Sequence, residues 1–257
     1  MLTPPEIARS LLAVGESKAR LPFGKMLLLA ILAGAYIALA GVGATAAAVT
    51  VESGSLAKLL SACVFPAGLS MVILAGSELF TGNCLMVMAL LERRITPVQL
   101  LRNWLTVYLG NAVGGAAVAA LAVYSHTASL FGDGLARSMV SIAESKAALG
   151  FGDAFLRGVL CNFLVCLAVW MAAASKRAEG KVIALFFPIL LFVLCGYEHC
   201  IANLYYLPAG AFAAAEYGME TTLTLAGCLE NLAAVTLGNL VGGAVLGVGY
   251  RFAYLKE

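Results

Sequence analysis

The stretch that decides the fold is GSELFTGN, residues 76–83, which interrupts an apolar segment running from about 59 to 91. A membrane-spanning helix needs about 20 apolar residues, so this segment is longer than one span. A second interruption, CGYEHCIANLYYLP at 195–208, lies inside an apolar segment over about 182–215. Backbone that leaves the helix at bilayer depth must be buried in protein or line a watery cavity. The two interruptions therefore predict a pathway between them.

The composition excludes an ordinary soluble domain. Apolar residues make up 62% of the chain and charged residues 12%, whereas soluble domains carry about 45–50% and about 25%. No basic run is dense enough for nucleic acid. The chain has only two histidines, and none of its seven cysteines forms a CxxC pair, so we expect no metal site and no cofactor. No nucleophile–base pair or phosphate loop indicates an enzyme.

Six apolar segments predict six transmembrane helices in an all-α membrane protein. They run over about 26–49, 59–91, 104–125, 155–175, 182–215 and 230–250. Residues 5–20 alternate apolar and charged positions with a helical period, which predicts an amphipathic helix at the membrane surface. We therefore expect a cytoplasmic N-terminal part over 1–25, a six-span channel domain over 26–251 and a cytoplasmic tail over 252–257. The segment 126–153 reads as an outer loop with some structure.

The orientation follows from the basic residues. With six spans the two termini share one side, and 12 of the 16 Lys and Arg residues fall on that side. Positive charge collects on the cytoplasmic side of membrane proteins, so both termini are predicted to be cytoplasmic. We expect a multi-pass protein of the plasma (inner) membrane, with the lipid bilayer as its surroundings.

An internal repeat divides the chain into two halves. LGNAVGGA at 109–116 and LGNLVGGA at 237–244 differ only at positions 112 and 240, at an offset of 128. The two interruptions share a Glu-x4-Asn pattern, with Glu78 and Asn83 in one and Glu198 and Asn203 in the other. Each half holds three spans, so the halves must insert in opposite senses. This inverted-repeat plan places a binding site at its paired breaks.

The breaks favour an anion. A broken span exposes half-helix N-termini near the midplane, and their N–H groups carry partial positive charge. His199 is the only histidine predicted at bilayer depth. Ionisable side chains are costly there, so their presence indicates a functional site. An imidazole, with an ordinary pKa of about 6.5, can offer a proton to a weak-acid anion. An apolar constriction would then pass the neutral acid and reject the bare ion.

Both interruptions resemble the two signature motifs of the formate/nitrite transporter family. Asn103 with the region around Gly110, and GVLCN at 158–162, are similar to that family as well, in order along essentially the whole chain. The resemblance implies a homopentamer with one aquaporin-like pore per protomer. It places along the pore Leu69 and Leu79 at a cytoplasmic constriction, Phe65 and Phe192 at an outer one, Thr81 hydrogen-bonded to His199, and Lys146 with Asn162 in an outer vestibule.

Structural roles remain open for several of these residues. Glu78 and Glu198 either accept backbone N–H bonds where the helices break or carry protons. Thr81 could cap a half-helix, and Asn162 and Asn203 could join helices by hydrogen bonds. Asn83 and Asn203 are expected to support the two loops with the glutamates. The LGNxVGG strings are interpreted as packing motifs.

The leading functional hypothesis is a passive channel for a small monovalent weak-acid anion. Lys146 would attract the anion and His199 would protonate it between the two constrictions. Hydrosulfide is favoured because Cys84 and Cys200 stand in the two breaks, and formate and nitrite follow. The alternative is a proton-coupled secondary transporter with His199 as proton carrier. A neutral-solute pore of the aquaporin or glycerol type usually carries two Asn-Pro-Ala strings, and the sequence has none.

Overall fold

Helices account for nearly all of the regular structure. A computed structural model describes residues 1–256 of the protein, and no strand occurs within that range. In chain order the helices are α1 Pro4–Ala19, α2 Phe23–Ala48, α3 Gly54–Val64, α4 Pro66–Ala75, α5 Phe80–Asn83, α6 Val87–Leu91, α7 Pro97–Tyr124, α8 Gly134–Ala147, α9 Phe151–Ala173, α10 Ala178–Leu194, α11 Cys200–Glu216 and α12 Leu225–Tyr254. Short 3-10 turns cover Cys84–Met86 and Thr127–Ser129.

The ends of the long helices follow from local sequence signals. Thr96 precedes α7 and forms a capping box with Gln99, because the Thr96 hydroxyl accepts from the Gln99 N–H at 3.2 Å and the Gln99 side chain accepts from the Thr96 N–H at 2.8 Å. Pro97 occupies the first position of α7, where its missing N–H costs nothing. Thr224 caps α12 through the Gly227 N–H at 3.1 Å.

Several helices are long and apolar enough to cross a bilayer. Five stretches qualify by length and composition: Phe23–Ala48, Gly54–Ala75, Pro97–Tyr124, Phe151–Ala173 and Leu225–Tyr254. The predicted fifth segment is divided between α10 and α11, which have 17 residues each. The structure also divides the predicted second segment, since α3 and α4 are followed by the shorter α5 and α6.

Both divided segments change direction at a glycine in the left-handed region. Gly76 (φ 76°) ends α4 and Gly196 (φ 68°) follows α10, and such values of φ are tolerated by glycine without steric cost. Non-helical backbone then continues to Leu79 in the first break and to His199 in the second. The second break is shorter than the predicted stretch 195–208, because α11 begins at Cys200 and continues through Pro208.

Close helix contacts involve the repeated glycine motifs. α2 packs along α7, and α9 packs along α12. A Cβ atom at Gly114 would overlap the Ile31 carbonyl oxygen, and one at Gly242 would overlap the Val159 carbonyl oxygen. Both glycines therefore allow the backbones of two helices to touch, which is the packing role expected of these motifs.

The predicted N-terminal helix is α1, and its apolar face packs on the protein. Its apolar residues Ile7 and Leu12 are buried, and the helix contacts α6, α7, α9 and α12 rather than presenting that face outward. The Arg102 guanidinium donates to the Leu21 carbonyl at 2.9 Å and holds the connection to α2. At the other end α12 continues to Tyr254, beyond the predicted boundary at 251, and residue 257 lies outside the described residues.

Candidate functional site

Each break is built around a glutamate and an asparagine. The Asn83 amide donates to the Glu78 carboxylate at 2.7 Å, and the Asn203 amide donates to the Glu198 carboxylate at 2.7 Å. The glutamates are 6% and 5% exposed. A buried carboxylate is tolerated only when it is paired and hydrogen-bonded, so these bonds hold each loop in one conformation.

A lysine neutralises each of the two glutamates. The Lys146 ammonium lies 2.9 Å from both carboxylate oxygens of Glu198, and the Lys18 ammonium lies 2.7 Å from Glu78. Lys18, which lies on α1, is not among the site residues predicted from the sequence. The sequence does indicate this residue, because Lys18 and Lys146 are separated by the same 128 positions as the two LGN motifs.

The asparagines of the LGN motifs anchor the breaks. The Asn111 side chain accepts from the Phe80 N–H at 3.0 Å and donates to the Glu78 carbonyl at 2.9 Å. The second motif repeats both bonds with Asn239, the Cys200 N–H at 2.9 Å and the Glu198 carbonyl at 2.9 Å. The motifs were predicted to serve helix packing, and their glycines do so. The anchoring role of their asparagines was not predicted. These two half-helix N–H groups are already bonded to the protein and are not free for an anion.

Two vestibules lie on opposite sides of the breaks. The first, called the Lys146 vestibule, is a cavity of about 350 Å³ lined among others by Lys58, Lys146, Arg157, Phe65, Phe192, Glu198 and His199. The second, called the Lys18 vestibule, is a cavity of about 380 Å³ lined among others by Lys18, Lys181, Leu69, Glu78, Leu79 and Asn83. The two vestibules are lined by different residues of the predicted pore.

A small central cavity lies between the two vestibules and shares lining residues with both. It measures about 10 Å³, close to the space one water molecule needs. Its lining consists of Ile37, Phe65, Leu69, Leu79, Val165, Ile189, Phe192 and His199. Phe65 and Phe192 also line the Lys146 vestibule and pack edge to face with ring centroids 5.7 Å apart, and Leu69 and Leu79 also line the Lys18 vestibule. The three cavities therefore form one row, separated by two apolar side-chain pairs.

His199 is the polar side chain of the central cavity. It is 3% exposed, stacks on Phe192 at 5.8 Å, and its Nδ1 accepts from the Ala202 N–H at 3.1 Å. Because Nδ1 is an acceptor, the neutral imidazole carries its proton on Nε2, which lies 2.9 Å from the Thr81 hydroxyl oxygen. Nε2–H then donates to Thr81, and this leaves the Thr81 hydroxyl proton available to a third group.

Five residues singled out by the sequence do not line these cavities: Thr81, Asn162, Asn203, Cys84 and Cys200. Asn162 is fully buried and donates to the Asn239 carbonyl at 2.6 Å, so its amide joins α9 to α12 instead of facing the Lys146 vestibule. Cys84 and Cys200 are also buried in packing positions outside the three linings. Within residues 1–256 no cluster of His, Cys, Asp and Glu comes together that could hold a metal ion.

Apolar helices with two internal breaks, and a row of cavities through them, define a helical membrane transport protein. The family model described as Formate/nitrite transporter matches residues 5–253. The chain therefore belongs to the formate/nitrite transporter family, which is not a family of enzymes.

Relatives and solved structures agree with this assignment. The chain is 38% identical to a probable formate transporter of Methanothermobacter thermautotrophicus, over 99% of this chain and 98% of that one. It is 34% identical to the formate channel FocA of Escherichia coli, over 100% and 96%. A solved FNT family ion channel superposes with a TM-score of 0.86 at 32% identity, covering 96% of this chain and 98% of that one. A structure described as a pentameric formate channel with formate bound gives 0.80 at 33% identity, covering 91% and 98%.

Proposed function

We propose that this protein is a passive channel for a small monovalent weak-acid anion, which crosses from one vestibule to the other through the His199 cavity. The observation that carries the proposal is the row of three cavities with two apolar constrictions and a single polar centre. A narrow apolar passage excludes hydrated ions, because burying an isolated charge without partners is costly. The passage is therefore suited to a small species that can lose its charge.

The lysines draw anions into the vestibules. Lys146 and Lys18 are each paired with a glutamate, so they attract an anion only at short range, and the net charge that raises the local anion concentration comes from Lys58, Arg157 and Lys181 in the vestibule walls. Since the half-helix N–H groups of Phe80 and Cys200 are bonded to asparagines, His199 is proposed to be the group that meets the anion, because it is the polar side chain that lines the central cavity, and the buried Thr81 holds its ring in place. A neutral imidazole that gave up Nε2–H would become an imidazolate, so His199 must first take up a proton from water in a vestibule before it can neutralise the anion in the constriction. The anion returns that proton to the imidazole when it leaves, and a net negative charge crosses.

Formate is the first anion to test. Relatives along the whole length of the chain are described as formate transporters or channels. The preference for hydrosulfide rested on Cys84 and Cys200, and neither of them lines the three cavities, so hydrosulfide takes second place beside nitrite.

The proposed arrangement in the membrane is six spans in two inverted repeats, with both termini cytoplasmic in the plasma membrane and an aquaporin-like outline. The repeated contacts of the two breaks support the inverted plan, because each Lys–Glu–Asn set has its partner in the other half. The Lys18 vestibule then faces the cytoplasm and the Lys146 vestibule faces outward.

A homopentamer is proposed because the similar structure with formate bound is described as pentameric. Within each protomer, Asn83 and Asn203 support the loops, whereas Asn162 serves packing.

A liposome flux assay tests the proposal. Purified protein in liposomes is given formate, nitrite, hydrosulfide or chloride at a series of pH values. We expect the three weak-acid anions to pass and chloride, which cannot be protonated, to pass much more slowly. Equal rates for chloride and formate would rule out the proposed neutralisation, and the absence of any weak-acid flux would rule out the channel.

A proton-coupled secondary transporter remains the second candidate, because the His199–Thr81 pair would also suit a proton carrier. Flux at a fixed proton-to-anion ratio, without unitary currents in a planar bilayer, would favour that carrier. Unitary currents would favour the channel.

A further inference from the structure

The two vestibules differ in charge although their cores are related by the repeat. Each has one lysine paired with one glutamate, Lys146 with Glu198 and Lys18 with Glu78. Beyond this shared pair, the lining of the Lys146 vestibule contains Lys58 and Arg157, whereas the lining of the Lys18 vestibule contains Lys181. The Lys146 vestibule thus has a formal charge of +2, against +1 for the other.

Lys58 and Arg157 have no counterparts in the repeat. Arg157 corresponds to Leu29 at the offset of 128, and Lys58 corresponds to Ala178 at the offset of 120 that relates the two breaks. Along residues 1–256 neither side chain forms an ion pair or a side-chain hydrogen bond. Both residues are solvent-exposed and line the vestibule, and Ser141 and Ser145 line the same space.

We propose that Lys58 and Arg157 form a binding site for a small divalent oxyanion, of the size and charge of sulfate, in the Lys146 vestibule. A guanidinium and an ammonium facing one cavity suit an anion with two negative charges and several acceptor oxygens. The vestibule of about 350 Å³ can hold such an anion, whereas the central cavity of about 10 Å³ cannot pass it. The bound dianion therefore blocks the passage from the Lys146 side.

The binding part of this inference stands on the vestibule alone, and the block rests on the proposed channel function. Sulfate binding to the detergent-solubilised protein is measured by calorimetric titration for the wild type, Lys58→Gln, Arg157→Gln and the double variant. Each substitution removes one unit charge beside the dianion, and for a separation of about 6 Å in a water-filled space Coulomb's law gives about tenfold weaker binding per charge. Lys181→Gln, in the other vestibule, is the matched control and should leave binding unchanged.

The block is measured in oriented planar bilayers with formate as the permeant anion and sulfate added to one side. We expect inhibition from the Lys146 side only, and its loss in the double variant. Undetectable sulfate binding, or equal weakening by Lys181→Gln, would overturn the site. Equal inhibition from both sides would overturn the sided block. If formate does not pass in the wild type, the proposed function fails, and the titration still decides the site.

Discussion

Replacing Asn239 by alanine should destabilise the second break by about 2 kcal/mol. The Asn239 side chain accepts from the Cys200 N–H and donates to the carbonyls of Glu198 and Gly158. Gly158 lies within α9, where its carbonyl keeps its helical bond, so the variant leaves two buried backbone groups without a partner. An unsatisfied buried group costs about 1–3 kcal/mol, which gives about 2–6 kcal/mol for two. Interhelical hydrogen bonds measured in membranes average about 0.6 kcal/mol, so the lower end applies.

The assay is equilibrium unfolding of the purified protein in mixed micelles with increasing denaturing detergent. Tyr108→Phe is the control, because it removes one hydrogen bond of 3.1 Å, to Thr236, between the same helices α7 and α12 that carry the two anchoring asparagines. We expect the control to lose about 0.6 kcal/mol. If Asn239→Ala loses no more than Tyr108→Phe, the asparagine does not anchor the break, and the account of the LGN motif is wrong.

Three further predictions concern the pore and the outer loop. His199→Asn should keep assembly while changing the pH dependence of formate flux, and an unchanged profile in the liposome assay would refute the proton-donor role. Leu79→Ala should widen the constriction at the Lys18 vestibule and raise the flux of larger monovalent carboxylates relative to formate, so identical relative rates would count against Leu79 lining the pore. The Thr222 N–H, at 2.7 Å, and the Thr221 hydroxyl donate to Glu144 and lower the pKa of its carboxyl below the ordinary value. That stabilisation is present above the unfolded pKa and is lost as the pH falls through the folded one. The protection factor of the Thr222 amide against hydrogen exchange should therefore fall under acid conditions, and Glu144→Gln should abolish that pH dependence.

The membrane segments and the two breaks could be predicted because hydrophobicity is a local signal. A charged residue such as Glu78 inside a long apolar run disrupts that signal at the position where the helix ends. The charged partner of Glu78 is harder to find, since Lys18 lies 60 residues earlier on a separate helix. The internal repeat indicates this partner, because Lys18 lies 128 residues before Lys146, the distance that separates the two LGN motifs.

The parts that the sequence did not reveal depend on which groups satisfy one another in three dimensions. The half-helix N–H groups were expected to face an anion, and the first one of each half-helix, at Phe80 and at Cys200, instead donates to Asn111 or Asn239. The apolar face of α1 was predicted to lie against lipid, and it packs on the protein. The helical period of apolar residues predicts that a helix has an apolar face, but it does not identify what covers that face. Asn162 was placed in the pore, and its amide is used by the Asn239 carbonyl.

The most direct test of the permeation route is formate flux in two variants of Val165, which is 1% exposed and lines the central cavity. Val165→Leu adds one methylene to a space of about 10 Å³, whereas Val165→Ala removes two methyl groups. With the thermal stability of both proteins measured in parallel, we predict at least about tenfold slower formate flux for Val165→Leu, because the added methylene fills a space of about one water molecule. Val165→Ala should conduct at the wild-type rate or faster. Wild-type flux through a folded Val165→Leu would show that the anion does not cross between the two vestibules through the His199 cavity.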